Sequence, residues 1–483
     1  MSRILVGPFN RVEGDLDIAL DVAAGSVTAA RVNSTLYRGF EQILVGKPAL
    51  DALVYTPRIC GICSVSQSVA CAQALADVMG ITPTRNGELC RNLILANESL
   101  TDLLTHFYLF FMPDFARETY AREPWFDEVE ARFKAVKGDA VREVLPARAE
   151  FLHLMGLLAG KWPHSLSLQP GGSTRPVQRQ ERLRLLAILS SFRCFLERRV
   201  FGDDLERVAA LRTPEQLAQW QAEKPWQHDD LRTFLHLSQS LGLDQLGRAT
   251  DRFMSVGNFS LEGELAVPRG IWTAQGGVST LDTGLISEDV SYAWMRDAQA
   301  LHPGQGETEP VAEKADAYSW CKAPRLDGQV VETGALARAL VSGDGLLTAL
   351  VSEQGGTVHT RMLARLMELA RTLPRLQQWA QQIEPGEPFC NHGEAPADGE
   401  GVGLIEAARG SLGHWIEVKK GLISRYQIIA PTTWNFSPRD AEGQPGALEL
   451  ALEGAPIRDG ETDPVAVQHI VRSFDPCMVC TVH

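Results

Sequence analysis

The chain lacks several features that would place it in a familiar class. It has no run of about twenty apolar residues, so we expect no membrane span. Its amino terminus lacks the charged start and apolar stretch of a secretory signal, and we expect a cytoplasmic protein. With 46 basic against 60 acidic residues, the net charge of −14 argues against a nucleic-acid partner.

A complete disulfide framework is also missing, because the nine cysteines are odd in number. Few cysteines in a long chain suit a reducing compartment, with some of them recruited as metal ligands. The chain has 483 residues, 45% of them hydrophobic, which is ample for a large core. By length alone, we expect two or three structural units.

Apolar periodicity indicates the fold class. Alternation over residues 1–45 predicts a small antiparallel sheet. Loops rich in Gly, Glu and Pro are expected over 302–313 and 386–402, and short strands near 330 and over 417–429. Helical spacing predicts helices over 64–79, 86–111, 140–159, 177–200, 228–241 and 356–383.

These patterns predict an α+β fold that is predominantly α-helical, with a central helix bundle, N-terminal strands and small peripheral β-sheets. We interpret residues 1–483 as one large subunit. Its N-terminal β region covers about residues 1–50, and the helical body over 51–483 ends in a metal-binding segment.

Two C-x-x-C boxes stand at opposite ends of the chain. Cys60 and Cys63 lie in R-I-C-G-I-C, and Cys477 and Cys480 lie in D-P-C-M-V-C-T-V-H, over four hundred residues later. Both sulfurs of such a box can face one metal, so the pairs together predict a four-sulfur site. The spacing alone leaves structural zinc, a redox metal centre and a disulfide or coincidence open. Zinc ribbons place their pairs tens of residues apart, whereas these pairs require a site inside the core.

Six motifs in order carry a family resemblance. R-V-E-G, R-G-F-E, R-I-C-G-I-C, E-A-A-R-G-S-L-G-H-W, A-P-T-T-W-N and D-P-C-M-V-C-T-V-H resemble those of the large subunit of a nickel–iron hydrogenase. The matches extend from Arg11 to His483, nearly the whole chain. Related respiratory-complex subunits share the fold but lack the four cysteines. The resemblance therefore implies an enzyme that splits hydrogen into two protons and two electrons.

The resemblance implies a role for each cysteine. Cys60 and Cys477 match terminal nickel ligands, and Cys63 and Cys480 match ligands that bridge nickel to iron. The family's iron carries one carbon monoxide and two cyanides. Soft thiolates suit both metals, and an open coordination position leaves room for hydrogen.

Other matched residues surround this centre in the family. Arg409, beside Ala408, matches an arginine over the metals, and Pro431 and Thr432 match residues that line the diatomic ligands. Asp102 and Asp475 match aspartates behind that arginine, and Glu13 matches a glutamate that accepts a proton from a nickel-bound cysteine. Without the resemblance, an exposed Arg409 and solvated carboxylates would be the ordinary expectation.

The family also binds a magnesium ion at the C-terminus. Its ligands would be Glu41, the backbone carbonyl of Ile428 and His483. Magnesium prefers oxygen ligands, which makes a histidine ligand unusual. Iron could therefore take the place of magnesium at this site. Family precursors carry an extension beyond this histidine, and we expect either the processed form or a chain made without one.

Five positions depart from the usual pattern. Asp15, Gln67 and Leu103 stand where histidine is common, and Ile62 and Phe110 replace a smaller Val and Leu that control gas access. These departures resemble the regulatory, hydrogen-sensing branch, in which a narrow passage admits hydrogen and retards oxygen.

Three functions therefore remain: a hydrogen sensor, a respiratory uptake hydrogenase, and a non-catalytic four-cysteine metal protein. Cys71, Cys90, Cys194, Cys321 and Cys390 form no iron–sulfur pattern, so electrons must leave through another subunit. We expect a small subunit with iron–sulfur clusters to pack over the region of Cys60 and Cys63, and a sensor to signal through a histidine kinase.

Overall fold

The strands form small antiparallel sheets around a helical body. A computed structural model describes residues 2–395, 397–458, 460–481 and 483. Within them the strands are β1 Ser2–Val6, β2 Leu16–Ala23, β3 Ser26–Ser34, β4 Leu168–Gln169, β5 Gly172–Ser173, β6 Arg252–Leu261, β7 Glu264–Thr273, β8 Gly277–Ser279, β9 Ile286–Asp289, β10 Ala323–Leu326, β11 Gly399–Ala407, β12 Gly410–Lys419 and β13 Leu422–Ile429.

The helices account for most of the remaining core. They are α1 Phe40–Leu44, α2 Ala52–Tyr55, α3 Ser64–Met79, α4 Arg85–Thr105, α5 Phe126–Phe133, α6 Asp139–Ala159, α7 Arg179–Phe195, α8 Leu205–Ala209, α9 Pro214–Ala222, α10 Asp230–Leu241, α11 Ala335–Val341, α12 Gly345–Gln354, α13 Val358–Gln382, α14 Pro431–Asn435, α15 Ala447–Leu452, α16 Val465–Ser473 and α17 Met478–Thr481.

The N-terminal sheet has the predicted alternation. Its strands pair in the order β1-β2-β3, all antiparallel, and every second residue of β2 is buried. The backbone N–H of Val32 donates to the carboxylate of Glu449 at 3.0 Å, which anchors β3 to α15 near the other end of the chain. The predicted small antiparallel sheet is confirmed.

The long helices α4, α6, α7 and α13 pack against one another at the centre. Helix α3 covers the predicted residues, and the other long helices begin and end within a few residues of their predicted limits. Helix α4 ends at Thr105, and the chain continues as a π-helix over His106–Phe111 instead of the predicted α-helix. The predicted α+β class with a central helix bundle is confirmed.

Two local predictions are wrong. The loop over 386–402, of which Pro396 lies outside the described residues, ends at Gly399, where β11 begins. This strand is rich in glycine because it lies on α3: a Cβ at Gly403 would come within 1.8 Å of the carbonyl oxygen of Ala70. The strand expected near 330 instead covers Ala323–Leu326, after which the chain turns back.

None of the described helices is by itself long and apolar enough to cross a membrane. The consecutive helices α11 and α12, bent by 110°, satisfy the length and composition only as a pair.

A buried ionic cluster joins the N-terminal segment to the C-terminal helix α16. Asp114 accepts from Arg472 at 2.6 Å and also bonds Arg11, and His469 lies 3.6 Å away. Burial by itself would raise the pKa of Asp114. The nearby His469 and the charges of Arg472 and Arg11 outweigh burial and hold the pKa well below its usual range.

We predict that Asp114→Asn lowers the free energy of unfolding by about 3–5 kcal/mol at neutral pH, because two arginines lose a buried counter-charge. The difference from wild type is present above pH about 4, the ordinary pKa of Asp, and is lost as the pH falls further. Urea unfolding at several pH values measures it. Asp463→Asn removes an exposed partner of Arg117 and is the matched control. Equal, small effects of both changes would contradict the prediction.

Candidate metal centre

The four predicted cysteine sulfurs meet in one buried cluster. All four lie within 4.8 Å of one another. The Sγ atoms of Cys63 and Cys480 are 3.0 Å apart, those of Cys60 and Cys477 are 3.4 Å apart, and those of Cys477 and Cys480 are 3.1 Å apart. Cys63 stands at the start of α3, and Cys477 directly precedes α17. The two boxes therefore form one site, as their spacing predicts.

Backbone pairing holds the C-terminal box beside the N-terminal segment. Glu13 pairs in parallel with Cys477, and the backbone N–H of Met478 donates to the Glu13 carbonyl at 2.7 Å. Gly14 follows with φ +83°, and a Cβ there would lie 3.0 Å from the backbone nitrogen of Val479. The glycine of R-V-E-G thus permits a close approach that another residue would obstruct.

Arg38, which sequence reasoning did not single out, connects the two boxes. Its guanidinium donates to the backbone carbonyls of Ile59 and Val479, the residues immediately before Cys60 and Cys480. Its Cζ lies 5.0 Å from the ring centroid of Phe40. The arginine of R-G-F-E thereby fixes the relative position of the two cysteine boxes.

The protonation of the sulfurs shows what the site requires. Hydrogen bonds from the other three cysteines hold the pKa of Cys60 well below its usual value. The pKa of Cys63 is raised by its hydrogen bonds to the other sulfurs, and burial raises those of Cys477 and Cys480. Four thiolates cannot therefore coexist here without cations between them. A buried set of soft donors fits nickel and iron, as well as zinc.

Arg409 supplies one fixed positive charge beside the sulfurs. Its Nη1 donates to Asp102 at 3.0 Å, and its Nε lies 3.3 Å from the carboxylate of Asp475. Burial would lower the pKa of Arg409, but Asp475, Asp102 and the thiols raise it well above its ordinary value. The guanidinium is buried and charged, contrary to the exposed arginine expected without the resemblance.

The pKa values of the two aspartates are shifted in opposite directions. Burial raises the pKa of Asp102 well above its usual value, despite the opposing charge of Arg409. Burial acts on Asp475 too, but Arg409 and His106 outweigh it and lower its pKa. Asp475 adopts a left-handed backbone with φ 56°.

The turn that carries Ala408 and Arg409 has its own support. Arg338 donates to the carbonyls of Ala407 and Ala408 at 2.8 and 2.9 Å, and it also bonds the carboxylates of Glu368 and Glu406. Sequence reasoning missed Arg338, because it is remote in sequence from every motif. Its contacts fix the turn between β11 and β12 from which Arg409 reaches the sulfurs.

Pro431 and Thr432 begin α14 next to the C-terminal box. The Thr432 hydroxyl accepts from the backbone N–H of Cys477 at 3.0 Å, so its own proton is free to be donated elsewhere. Both residues are buried. Their predicted contact with diatomic ligands stays a prediction.

Glu13 is half-buried beside the cluster. Burial is the main cause of its raised pKa, the Cys60 thiolate adds to it, and Arg409 opposes both. A carboxyl with a raised pKa next to a thiolate is suited to accept a proton and pass it on. The role of Glu13 in proton transfer stays a prediction.

A second donor set lies at the C-terminus. The Nε2 atom of His483 is 2.7 Å from the carbonyl oxygen of Ile428 and 3.4 Å from the carboxylate of Glu41. Neighbouring ligands of an octahedral magnesium ion are about 3 Å apart, so these atoms fit such an ion. Lys322, 3.2 Å from Glu41 and 3.3 Å from Glu288, is an additional buried charge that the motifs did not reveal.

Three of the departures from the usual pattern have distinct surroundings. The side-chain oxygen of Gln67 is 2.8 Å from Nε2 of His414, whose Nδ1 is 2.8 Å from the Tyr426 hydroxyl. Burial lowers the pKa of His414 to about 3, so Gln67 belongs to a neutral polar chain. Leu103 is buried in α4, and Asp15 is exposed.

The two predicted gas-access residues stand on different elements. Ile62 stands between Cys60 and Cys63, is partly buried and packs against the core. Phe110 is partly buried on the π-helix, edge-on to His106 with ring centroids 6.5 Å apart. His106 in turn lies 4.0 Å from Asp475. Control of gas access by these residues stays a prediction.

Comparisons with known proteins agree with this geometry. The family described as nickel-dependent hydrogenase matches residues 38–124 and 140–483. The chain is 28% identical to the periplasmic [NiFeSe] hydrogenase large subunit of Desulfomicrobium baculatum, and 27% identical to the uptake hydrogenase large subunit of Rhodobacter capsulatus. Each alignment covers 100% of this chain and 95% of the relative.

Solved structures agree as well. The [NiFeSe] hydrogenase from Desulfovibrio vulgaris Hildenborough in the reduced state matches with a TM-score of 0.85 and 30% identity, and 100% of each chain is covered. The fold and the four-thiolate site together define a redox metalloenzyme with a nickel–iron centre. The chain belongs to the nickel-dependent hydrogenase family, as its motifs predict, and it corresponds to the large subunit. This membership excludes the structural zinc protein left open by the spacing.

We predict that Cys60→Ser or Cys477→Ser removes nickel and abolishes hydrogen–deuterium exchange, because oxygen is a poor substitute for a soft thiolate. Metal analysis and exchange of dissolved gas measure the two effects. Cys194→Ser changes an exposed cysteine outside the site and should alter neither. A Cys477→Ser protein with full nickel and full exchange would overturn the ligand assignment.

Proposed function

We propose that this hydrogenase large subunit serves as a hydrogen sensor, whose turnover reports the presence of H2 to a signalling partner. The observation that carries the proposal is a pair of bulky residues, Ile62 between two ligand cysteines and Phe110 on the π-helix beside His106. A restricted passage suits an enzyme that needs to detect hydrogen in air more than it needs fast turnover.

The chemistry assigned to the chain's own residues is proton handling. When bound, the nickel–iron pair supplies the cleavage of H2 into two protons and two electrons. Glu13, flanked by Cys60 and Cys477, takes a proton from the neighbouring sulfur and releases it towards solvent. Arg409, held by Asp102 and Asp475, keeps its positive charge throughout and offsets the negative charge of the thiolates.

We predict that Glu13→Gln retains nickel and iron but slows hydrogen–deuterium exchange by about 10²–10⁴-fold, because an amide cannot accept and release a proton. Asp17→Asn, which changes a carboxylate on β2, is the control and should leave exchange unchanged. Exchange at the wild-type rate in the Glu13 variant, with metals intact, would remove Glu13 from the relay.

We further propose that the iron carries one carbon monoxide and two cyanides, and that Glu41, Ile428 and His483 hold magnesium or iron. The Thr432 hydroxyl can donate a hydrogen bond to an anionic cyanide, and the buried positive charge of Arg409 can attract it, which supports the first assignment. The short distances from the Nε2 atom of His483 to the Ile428 carbonyl and the Glu41 carboxylate support the second assignment. Infrared bands of the diatomic ligands and metal analysis test the two assignments separately.

Electron transfer requires a partner in this proposal. Among the described cysteines outside the centre, three are buried and separate, and Cys194 and Cys390 stand alone, so no cluster can form from them. A small subunit with iron–sulfur clusters would dock over the region before Cys60. There, five large apolar side chains are exposed by 39–49%, an unusual density for a free surface. They are Leu36, Ile43, Val45, Leu50 and Val54.

The gas-access proposal leads to a prediction. Ile62→Val combined with Phe110→Leu should retain the metals but make hydrogen oxidation sensitive to oxygen. Truncations of this kind cost about 1 kcal/mol for Ile→Val and somewhat more for the aromatic change, so the protein should remain folded. The measurement is activity before and after exposure to air. Ile94→Val with Phe133→Leu, both buried, is the matched control. An identical oxygen response in wild type and double variant would contradict the gate.

The second candidate function is respiratory uptake, which the name of the Rhodobacter capsulatus relative favours. Purification of the native complex distinguishes the two functions. A sensor should be isolated with a histidine kinase whose activity changes with H2, and fractionation should find it in the cytoplasm. Isolation with a cytochrome, and no response of any kinase to H2, would overturn the sensor proposal.

A further inference from the structure

Glu98 is a buried carboxylate that no family motif includes. It lies in the middle of α4 and is 1% exposed. One oxygen accepts from the backbone N–H of Val65 at 2.8 Å and from the Trp162 indole at 2.9 Å. The other accepts from the backbone N–H and the hydroxyl of Ser66, both at 2.9 Å. Four donors therefore converge on one side chain, and no cation is among them.

The donors identify what Glu98 does for α3. In an ordinary helix, the side chain of the N-cap residue accepts from the backbone N–H of the second or the third helical residue. The N-cap of α3 is Cys63, whose side chain makes no such bond. The second and third residues are Val65 and Ser66, the two whose N–H groups donate to Glu98. The cap that Cys63 does not supply is therefore provided by another helix.

This arrangement has a consequence for the metal ligand. Backbone N–H groups at the start of a helix have no partner within the helix and need an acceptor. A thiolate at the N-cap position would be the nearest acceptor. With both groups bonded to Glu98, the Cys63 sulfur is free to face Cys480 at 3.0 Å. The same carboxylate also fixes the loop at Trp162; two residues further on, the backbone N–H of His164 donates to the Ser64 hydroxyl, and its Nδ1 bonds the Pro57 carbonyl.

We propose that Glu98 is a positioning residue for the metal centre: it caps α3 from α4 and thereby leaves the Cys63 thiolate available to bridge the metals. Both carboxyl oxygens are needed as acceptors, because the backbone N–H groups of Val65 and Ser66 and the Trp162 indole can only donate. This proposal deepens the proposed function and rests on the assignment of Cys63 as a metal ligand.

The test uses the purified native complex and two independent measurements. In Glu98→Ala, amide exchange in the peptide containing Val65 and Ser66 should be about tenfold faster, as expected for a lost cap. The nickel EPR spectrum should also change, because the Cys63 thiolate can turn towards the helix. Glu98→Gln keeps the shape of the side chain but has only one accepting oxygen, so it should give smaller changes of the same kind. It replaces the alanine variant in the test if that variant does not assemble.

Glu88→Gln is the matched control. Glu88 is a buried carboxylate on the same helix, but it accepts from the Ser260 hydroxyl and the Glu262 backbone, away from α3. It should leave both measurements as in wild type. Faster amide exchange with an unchanged nickel spectrum would reduce Glu98 to a structural cap and overturn the proposal. Unchanged amide exchange in both Glu98 variants would overturn it too. A wild type without nickel would instead overturn the proposed function, and the amide exchange would still report on the cap.

Discussion

The convergence of four cysteine sulfurs from the two ends of the chain is the constraint on which the rest of the structure depends. Cys60 and Cys63 meet Cys477 and Cys480 in a volume less than 5 Å across. Thiolates so close repel one another, so contacts of the backbone must hold the two boxes together. Pairing of Glu13 with Cys477 and the two bonds of Arg38 accomplish this. The C-terminal segment is consequently buried and fixed, unlike most chain ends.

Charge is balanced around this centre in separate layers. Arg409 faces the sulfurs and is held by Asp102 and Asp475, whose pKa values are shifted in opposite directions. Glu98, one helical turn before Asp102, is stabilised by hydrogen bonds and not by a cation. The two carboxylates therefore have different roles, although they lie one turn apart on α4. Asp102 holds Arg409, and Glu98 holds the helix that begins at Cys63.

Prediction from the sequence succeeded where a regular period or a spaced motif carried the information. Helix α3 was located to the residue because its apolar spacing is uninterrupted, and the four cysteines were found by their spacing. The loop predicted over 386–402 overlaps the first four residues of β11, because glycines that let this strand lie on α3 also resemble turn residues. Arg38, Arg338 and Glu98 were missed because each acts through backbone groups distant in sequence, and such contacts leave no local pattern.

X-ray absorption at the nickel edge of the purified native complex tests the central claim most directly. The account predicts nickel with a shell of sulfur neighbours from four cysteines and an iron atom beyond them. Nickel surrounded by nitrogen or oxygen alone, or zinc in place of nickel, would contradict it. The result depends on the ligands of this chain and is independent of the direction of turnover or the identity of the partner.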